Sequence, residues 1–280
     1  MTCKHAIIIA AGYGTRRLPI TKAVEKCMLP ILDRPLVDYI VEDCIKAGIE
    51  HIVFVVNEDS TQIKDFYSQY EALEKYLHKH GKQKYIELIE PPKVKFEFVE
   101  QTNELLFNHY GTNTAVALAR PTIPHGEPAL VIMGDALLYG KDGHSPLTDF
   151  LQQIPEGESA ALTKEVLRAE VSKYGVLVVG DNGYLDHMVE KPKPEEAPST
   201  LINLAEYLFT SDLLDETVRF FDDPIVPGKE KYVNIEPFNR YLAKKGKIKV
   251  VPVTGEYLDV GTLQGWLKAN DYVARATNIL

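Results

Sequence analysis

The chain has 280 residues, 45% hydrophobic and 25% charged, the balance of an ordinary folded α/β-sized domain with a substantial core and not of a disordered or collagen-like chain. Forty acidic residues against 31 basic ones leave a formal charge of -9, which argues against a nonspecific nucleic-acid surface but permits a small anionic ligand in a locally basic pocket. Cys3, Cys27 and Cys44 are odd in number and lack a CxxC spacing, so they read as free thiols of a reducing compartment, the cytoplasm, and not as disulfides or a zinc site.

The first apolar run, in MTCKHAIIIAAGYGT, reads as a strand, and no later stretch offers the roughly 20 apolar residues of a membrane span. HAIIIAA at 5–11 and HIVFVV at 51–56 suit interior strands covered on both faces. Between them, PLVDYIVEDCIKAGI sets Leu36, Ile40, Cys44 and Ala47 on one helical stripe, with Pro35 in the first turn and Gly48 at the end. Strand, loop, helix and strand make a βαβ unit whose opening loop lies at a strand's carboxyl end, where open α/β sheets bind ligands. STQIKDFYSQYEALEKYLHKHG predicts one amphipathic helix carrying Ile63, Phe66, Tyr70, Leu73 and Leu77, with an early serine as its cap. KFEFV at 95–99 and ALVIM at 129–133 are further strands, with the helical TAVALA between them.

After residue 158 the rhythm shortens. SAALTKE and KYGVLVV are strand candidates, DNG at 181–183 is a turn before YLDHMVE, and KPKPEEAPS is a charged proline-rich loop. NLAEYLFTSDLLDETVRFF passes from strand into helix; IKVVPV is a strand, and TLQGWLKANDYVARA closes the chain as a helix. The expected architecture is a Rossmann-like α/β fold with a mixed, mainly parallel central sheet and flanking helices. It forms a single domain over 1–280, in which about 158–260 add a small β-rich extension along the pocket.

The stretch AAGYGTRRLPITKAVEK at 10–26 carries most of the chemistry. GYG is neither a full G-x-G-x-x-G, since Arg17 stands where the third glycine belongs, nor a G-x-x-x-x-G-K-[ST] loop. Gly12 and Gly14 can let backbone N–H groups approach a ligand, Thr15 offers a hydroxyl, and Arg16 and Lys26 can neutralise phosphates. On these residues alone, a phosphate cradle and a tight turn with a solvated basic rim stand side by side. Asp135 follows an apolar strand and Asp259 lies in LDVG; brought together they would hold Mg²⁺, and apart they are a turn acid and a cap.

The longer pattern AAGYGTRRLPITKAVEKCMLP resembles the signature loop of bacterial UTP:glucose-1-phosphate uridylyltransferases and of the wider sugar-1-phosphate nucleotidylyltransferase family. Gln101 with Gly111, VIMGDALL around Asp135, KYGVLVV, VEKPKPEEAPS and YLDVGT follow in the family's order over roughly residues 4–275. The resemblance implies transfer of a nucleotidyl group from UTP to a sugar 1-phosphate, with Mg²⁺ as cofactor, no membrane or nucleic-acid partner, and a homo-oligomer. It also implies that Arg16, Lys26 and Asp135 serve catalysis, with Asp135 and Asp259 as the metal carboxylates. Ala10, Ala11, Gly12, Gly14, Thr15, Gln101 and Gly111 would form the nucleotide pocket, and Gly175, Glu190 and Lys191 would take the sugar and its phosphate. Uracil and thymine both fit the donor and acceptor of Gln101.

Several positions depart from the uridylyltransferase pattern. Cys27 follows Lys26 where glutamate is usual, TNELLFNHY adds residues before Gly111, Asn113 replaces a glycine, and Ala205-Glu206 stand where Gly-Arg is common. These changes keep a dTTP- or other nucleotide-dependent transferase, and a noncatalytic nucleotide-sugar binder, open beside the uridylyltransferase. The eight histidines, among them His109 near the nucleotide loop, compose no zinc or acid-base motif, and no Ser-His-Asp arrangement is evident.

Overall fold

The computed structural model of the chain describes residues 3–108, 111–221, 234–244 and 246–279. Its strands are β1 (His5–Ile9), β2 (Pro30–Ile31), β3 (Arg34–Pro35), β4 (His51–Asn57), β5 (Lys95–Gln101), β6 (Ala129–Met133), β7 (Ala136–Tyr139), β8 (Ser159–Glu165), β9 (Gly175–Val179), β10 (Leu185–Glu190), β11 (Leu201–Phe209), β12 (Ile248–Pro252) and β13 (Glu256–Asp259). The helices are α1 (Leu36–Lys46), α2 (Gln62–Phe66), α3 (Glu71–Lys79), α4 (Asn103–Asn108), α5 (Thr112–Ala119), α6 (Pro146–Gln152), α7 (Ser211–Phe221), α8 (Glu236–Ala243) and α9 (Leu263–Ala276).

The large sheet runs β10-β9-β11-β6-β1-β4-β5, with β8 beside β11 and β12 beside β8. From β6 to β5 it is parallel, as the β-branched runs and helical crossovers require. β11 enters antiparallel to β6 and brings in the second half of the chain, where β8, β9 and β10 continue in antiparallel pairings. The mixed α/β sheet with flanking helices expected from the sequence is therefore present. Its β-rich extension is continuous with the parallel half through the β6–β11 pair.

Both faces of the sheet are covered. On one side Ile8, Phe54, Val37, Ile40 and Phe150 pack with α1 and α6; on the other Ile7, Val53, Val116, Leu213 and Phe238 pack with α5, α7 and α8. Burying each such side chain stabilises the fold by about 1.5–3 kcal/mol. Helices on both faces leave the strand ends as the open surface, so the loops after β1, β6 and β13 become the place for chemistry.

The helix expected as one element after Ser60 is two, α2 and α3, broken at Tyr67–Tyr70. Tyr67 turns inward to stack on Phe96 at 4.5 Å and Phe54 at 5.5 Å, whereas Phe66 and Tyr70 stay exposed, so these residues do not share a face. The serine cap is also corrected. Ser60 Oγ donates to Glu25, and the Glu25 carboxylate accepts from the N–H groups of Thr61 and Gln62, capping α2 from a distant loop. No helix among the described residues is long and apolar enough to cross a membrane.

Candidate active site

The loop leaving β1 is held before any ligand arrives. Ala10 N–H donates to Val55 carbonyl at 2.8 Å, keeping the chain beside β4. Gly14 then adopts φ 65°, and a Cβ there would stand 3.0 Å from both Lys26 Cβ and Thr21 Cγ2, so glycine answers both the left-handed turn and the close approach. Thr21 Oγ1 closes the loop by donating to the Gly14 carbonyl at 2.9 Å. Arg17, buried, donates to the Thr262 carbonyl at 3.0 Å and lies over the Trp266 ring, and burial lowers its pKa from the ordinary guanidinium value. Arg17 thus anchors the glycine loop to the β13–α9 turn, and its neighbour Arg16 remains exposed.

Lys26 is aimed by its two neighbours. Glu25 is committed to capping α2, and Cys27 is fully buried, its thiol pushed up to about 12 chiefly by burial. That thiol packs as a small apolar group and is neither nucleophile nor metal ligand. Lys26 points the other way, its Nζ 2.9 Å from Asp135 Oδ2, with Gly12 against the ammonium. Gly12, Gly14, Thr15, Arg16, Lys26 and Asp135 all line one cavity of about 400 Å³.

The two acids come together through a small antiparallel ladder. β7 pairs with β13 so that Ala136 lies opposite Asp259, which sets Asp135 beside it, and Val260 N–H donates to the Asp135 carbonyl at 3.3 Å. Asp259 Oδ1 accepts from Gly261 N–H at 2.9 Å. A Cβ at Gly261 would lie 2.6 Å from Arg16 Nη2 and 3.1 Å from Asp259 Oδ1, so the guanidinium sits next to the acid. Both carboxylates face a cavity of about 440 Å³. Among the described residues no group of three or more His, Cys, Asp and Glu gathers for a metal. An incomplete set of hard oxygen donors suits Mg²⁺, which keeps water and substrate phosphates in its shell.

The same cavity is walled by the second half of the chain. Gly175 pairs with Glu190 across β9 and β10, and a Cβ on Gly175 would stand 3.2 Å from Glu190 Oε2. The missing side chain leaves that carboxylate reachable. Lys191 follows at φ 45°, its N–H donating to Tyr174 carbonyl at 3.1 Å and its Nζ 3.6 Å from Glu190 Oε1. Tyr174 and Tyr257 close the wall beside Asp259. Their phenol pKa values are raised first by burial and then by that carboxylate.

The departures from the family pattern fall into place locally. β11 carries a register shift between Asn203 and Tyr207, with Ala205 at φ 57°, the conformation a glycine would adopt without strain. Ala205 faces the cavity, whereas Glu206 points into the core, where burial and then Asp43 drive its carboxyl well above the usual range. Asn113 is buried and lines the cavity beside Thr112, whose N–H donates to Asn234 Oδ1 at 2.9 Å.

Arg16, Asp135, Asp259, Gly175, Glu190 and Lys191 therefore share one cavity, and Gly12, Gly14, Thr15 and Lys26 line the adjoining one. Ala10, Ala11, Gln101 and Gly111 line neither. They sit at the same edge of the sheet: Ala10 and Ala11 just past β1, Gln101 at the end of β5, Gly111 as N-cap of α5. Gln101 is 3% exposed, and its side-chain amide makes no hydrogen bond among the described residues. His109 lies outside the described residues; His5 and His51 are buried against each other at the opposite end of the strands. Sequence reasoning missed Asn203, Tyr207 and Tyr257 as lining residues, because only the β11 bulge and the β7–β13 ladder turn them toward the cavity.

Backbone amides, two cations and two acids around a gap with no protein nucleophile define an α/β protein built to hold and transfer phosphorylated groups. Residues 5–276 match the nucleotidyl transferase family, and the chain belongs to it. It is 31% identical over 278 residues to the UTP–glucose-1-phosphate uridylyltransferase of Pseudomonas aeruginosa, covering 96% of this chain and 95% of that one. The UTP–glucose-1-phosphate uridylyltransferase 1 of Streptococcus pyogenes serotype M3 is 33% identical over 279 residues, with 96% and 88% covered. A solved structure of UDP-glucose pyrophosphorylase complexed with UDP-glucose superposes with a TM-score of 0.79 at 31% identity, covering 98% of this chain and 99% of the other.

Proposed function

We propose that the protein transfers the uridylyl group of UTP to glucose 1-phosphate, giving UDP-glucose and pyrophosphate. The observation that carries this reading is the convergence of Arg16, Asp135, Asp259, Glu190 and Lys191 on one cavity, beside a glycine loop that holds Lys26. The uridylyltransferases named above, matched over nearly the whole chain, support UTP and glucose 1-phosphate as the substrate pair.

A sugar phosphate oxygen attacks the α-phosphorus, the bond to the bridging oxygen breaks, and pyrophosphate leaves with its electron pair. The step needs alignment and charge stabilisation and no covalent enzyme intermediate. N–H groups of the Gly12–Thr15 loop cradle the triphosphate, and Arg16 lies where the departing pyrophosphate gathers charge. Lys26 leaves Asp135 for the phosphates flanking the reacting centre. Glu190 accepts from sugar hydroxyls across the gap at Gly175, and Lys191 meets the sugar phosphate. Gln101, buried at the end of β5 and with no side-chain hydrogen bond among the described residues, reads the pyrimidine edge. Asp135 and Asp259 would hold Mg²⁺, which would supply charge neutralisation and orientation of the phosphates.

A pyrophosphate-release screen crossing UTP, dTTP, ATP and GTP with a panel of sugar 1-phosphates in Mg²⁺ tests the reading. UTP with glucose 1-phosphate gives the highest kcat/KM. A higher value for dTTP or another sugar overturns the substrate pair, and binding without release across the matrix overturns the transferase.

A further inference from the structure

We infer that Asn203 is a positioning residue of the sugar wall: by donating to the Tyr207 hydroxyl, it leaves that hydroxyl's own proton for an oxygen of the substrate. The inference rests on the cavity being the sugar 1-phosphate site.

Asn203 sits at the bulge of β11 and lines the cavity with Gly175 and Glu190. A Cβ at Gly175 would stand 3.7 Å from Asn203 Cβ and 3.2 Å from Glu190 Oε2, so the asparagine and the glutamate flank the same gap. The two ends of the amide are engaged differently. Oδ1 accepts from the Ala205 N–H at 3.0 Å, and Nδ2 donates to Tyr207 Oη at 2.6 Å. A flipped amide would set its NH₂ against a backbone N–H, so the Ala205 contact decides which end faces the tyrosine.

Tyr207 is 5% exposed and wedged among Phe209 and Phe238, with ring centroids at 5.2 and 5.1 Å. Tyr207 lines the cavity and its hydroxyl accepts one hydrogen bond, yet among the described residues nothing accepts its proton. Burial raises its pKa, opposed by the Asn203 hydrogen bond and added to by the Glu190 carboxylate, so that it stays a phenol. A buried donor without an acceptor is unfavourable until one arrives. Beside it, Glu190 offers only lone pairs. One donor next to one acceptor is the complement of neighbouring sugar hydroxyls, each of which can give and take.

A purely structural role would make Asn203 no more than a brace for Ala205 in its left-handed conformation. Aspartate at 203 separates the two. It keeps the oxygen that accepts from Ala205 N–H but reverses the other bond, so Tyr207 donates into the carboxylate and shows the sugar only lone pairs. We therefore expect Asn203→Asp and Tyr207→Phe each to raise the KM for glucose 1-phosphate about tenfold, with kcat and the KM for UTP within about twofold of wild type. The double variant is no worse than either single one, since without the hydroxyl there is no bond to reverse. Asn203→Ala loses both contacts; if it fails to fold, the other two variants carry the test. An Asn203→Asp protein with wild-type KM for the sugar phosphate overturns the inference and leaves the brace. An equal rise in both KM values also overturns it. Wild-type protein that turns over no sugar 1-phosphate is a different failure, that of the proposed function itself.

Discussion

In the cavity under the glycine loop, which the proposed function assigns to the phosphates, Lys26 and Asp135 face each other at 2.9 Å with 14% and 18% of their side chains exposed. At the wall that the proposed function assigns to the sugar, Asn203 and Tyr207 are neutral and hydrogen-bonded to each other and to the bulge, with Tyr207 buried. The first pair is an ion pair, which in the proposed function is exchanged for substrate phosphates and a cation. The second, on the inference above, is already set for the sugar. Charges that must change partners tolerate water at the rim, whereas recognition of a neutral sugar depends on donors and acceptors fixed beforehand. On the proposed function, the two adjoining cavities thus place their demands on different properties: the phosphate end on charge, the sugar end on hydrogen-bond direction.

Removing charge at the phosphate end is expected to have the largest consequence. Asp135→Asn and Asp259→Asn each lower kcat/KM for pyrophosphate release by about 10³ or more, with circular dichroism unchanged. Turnover near wild type in either would remove that acid from the reacting centre. Lys26→Met follows at about 10²–10³, shared between kcat and UTP affinity because its ammonium serves both. Across the cavity, Glu190→Gln raises the KM for the sugar phosphate by about 10–100-fold and spares that for UTP. A change in both KM values would erase the division between the two ends.

Smaller effects are expected in stability. Behind β11, burial raises the Asp43 carboxyl to about 6, opposed by Ser145, the Leu147 N–H, Lys46 and His144, and its Oδ1 has no partner among the described residues. A folded pKa above the unfolded one favours the protonated form in the folded state. The contribution is therefore fully present below about pH 4 and is lost as pH rises through about 6. Asp43→Asn should stabilise the protein at pH 7 by about 1–2 kcal/mol and flatten the slope between pH 4 and 6 in urea melts. Ala205→Gly relieves the left-handed alanine and adds about 0.5–1 kcal/mol at unchanged KM, seen as a higher Tm.

The phosphate end was the more legible in the sequence for a physical reason. Gly12, Gly14 and Asp135 lie just past the end of an apolar strand, Arg16 and Lys26 follow in the loop leaving β1, and their chemistry is carried by residue type at that place. The β-branched runs likewise specified the parallel half of the sheet. The sugar end depends on a register shift that local alternation does not reveal: Asn203 and Tyr207 reach the cavity because Ala205 occupies an unusual conformation between them. The break between α2 and α3 was hidden for a similar reason, since Tyr67 is drawn inward by Phe54 and Phe96 from β4 and β5. α6 carried a readable start, Ser145 capping Thr148 N–H ahead of Pro146, but its short apolar stripe did not stand out before β8. Gln101 was legible as a residue and not as a buried one, which only the packed end of β5 reveals.

The most direct test is a steady-state measurement of pyrophosphate release from UTP and glucose 1-phosphate in Mg²⁺, comparing wild type with Asp135→Asn and Glu190→Gln under the same conditions. Turnover by wild type, a loss of about 10³ in kcat/KM for the first variant and a rise confined to the sugar-phosphate KM for the second are the expected results. Equal KM shifts for both substrates in Glu190→Gln, or undiminished turnover in Asp135→Asn, would contradict a site divided into a charged phosphate end and a preset sugar end.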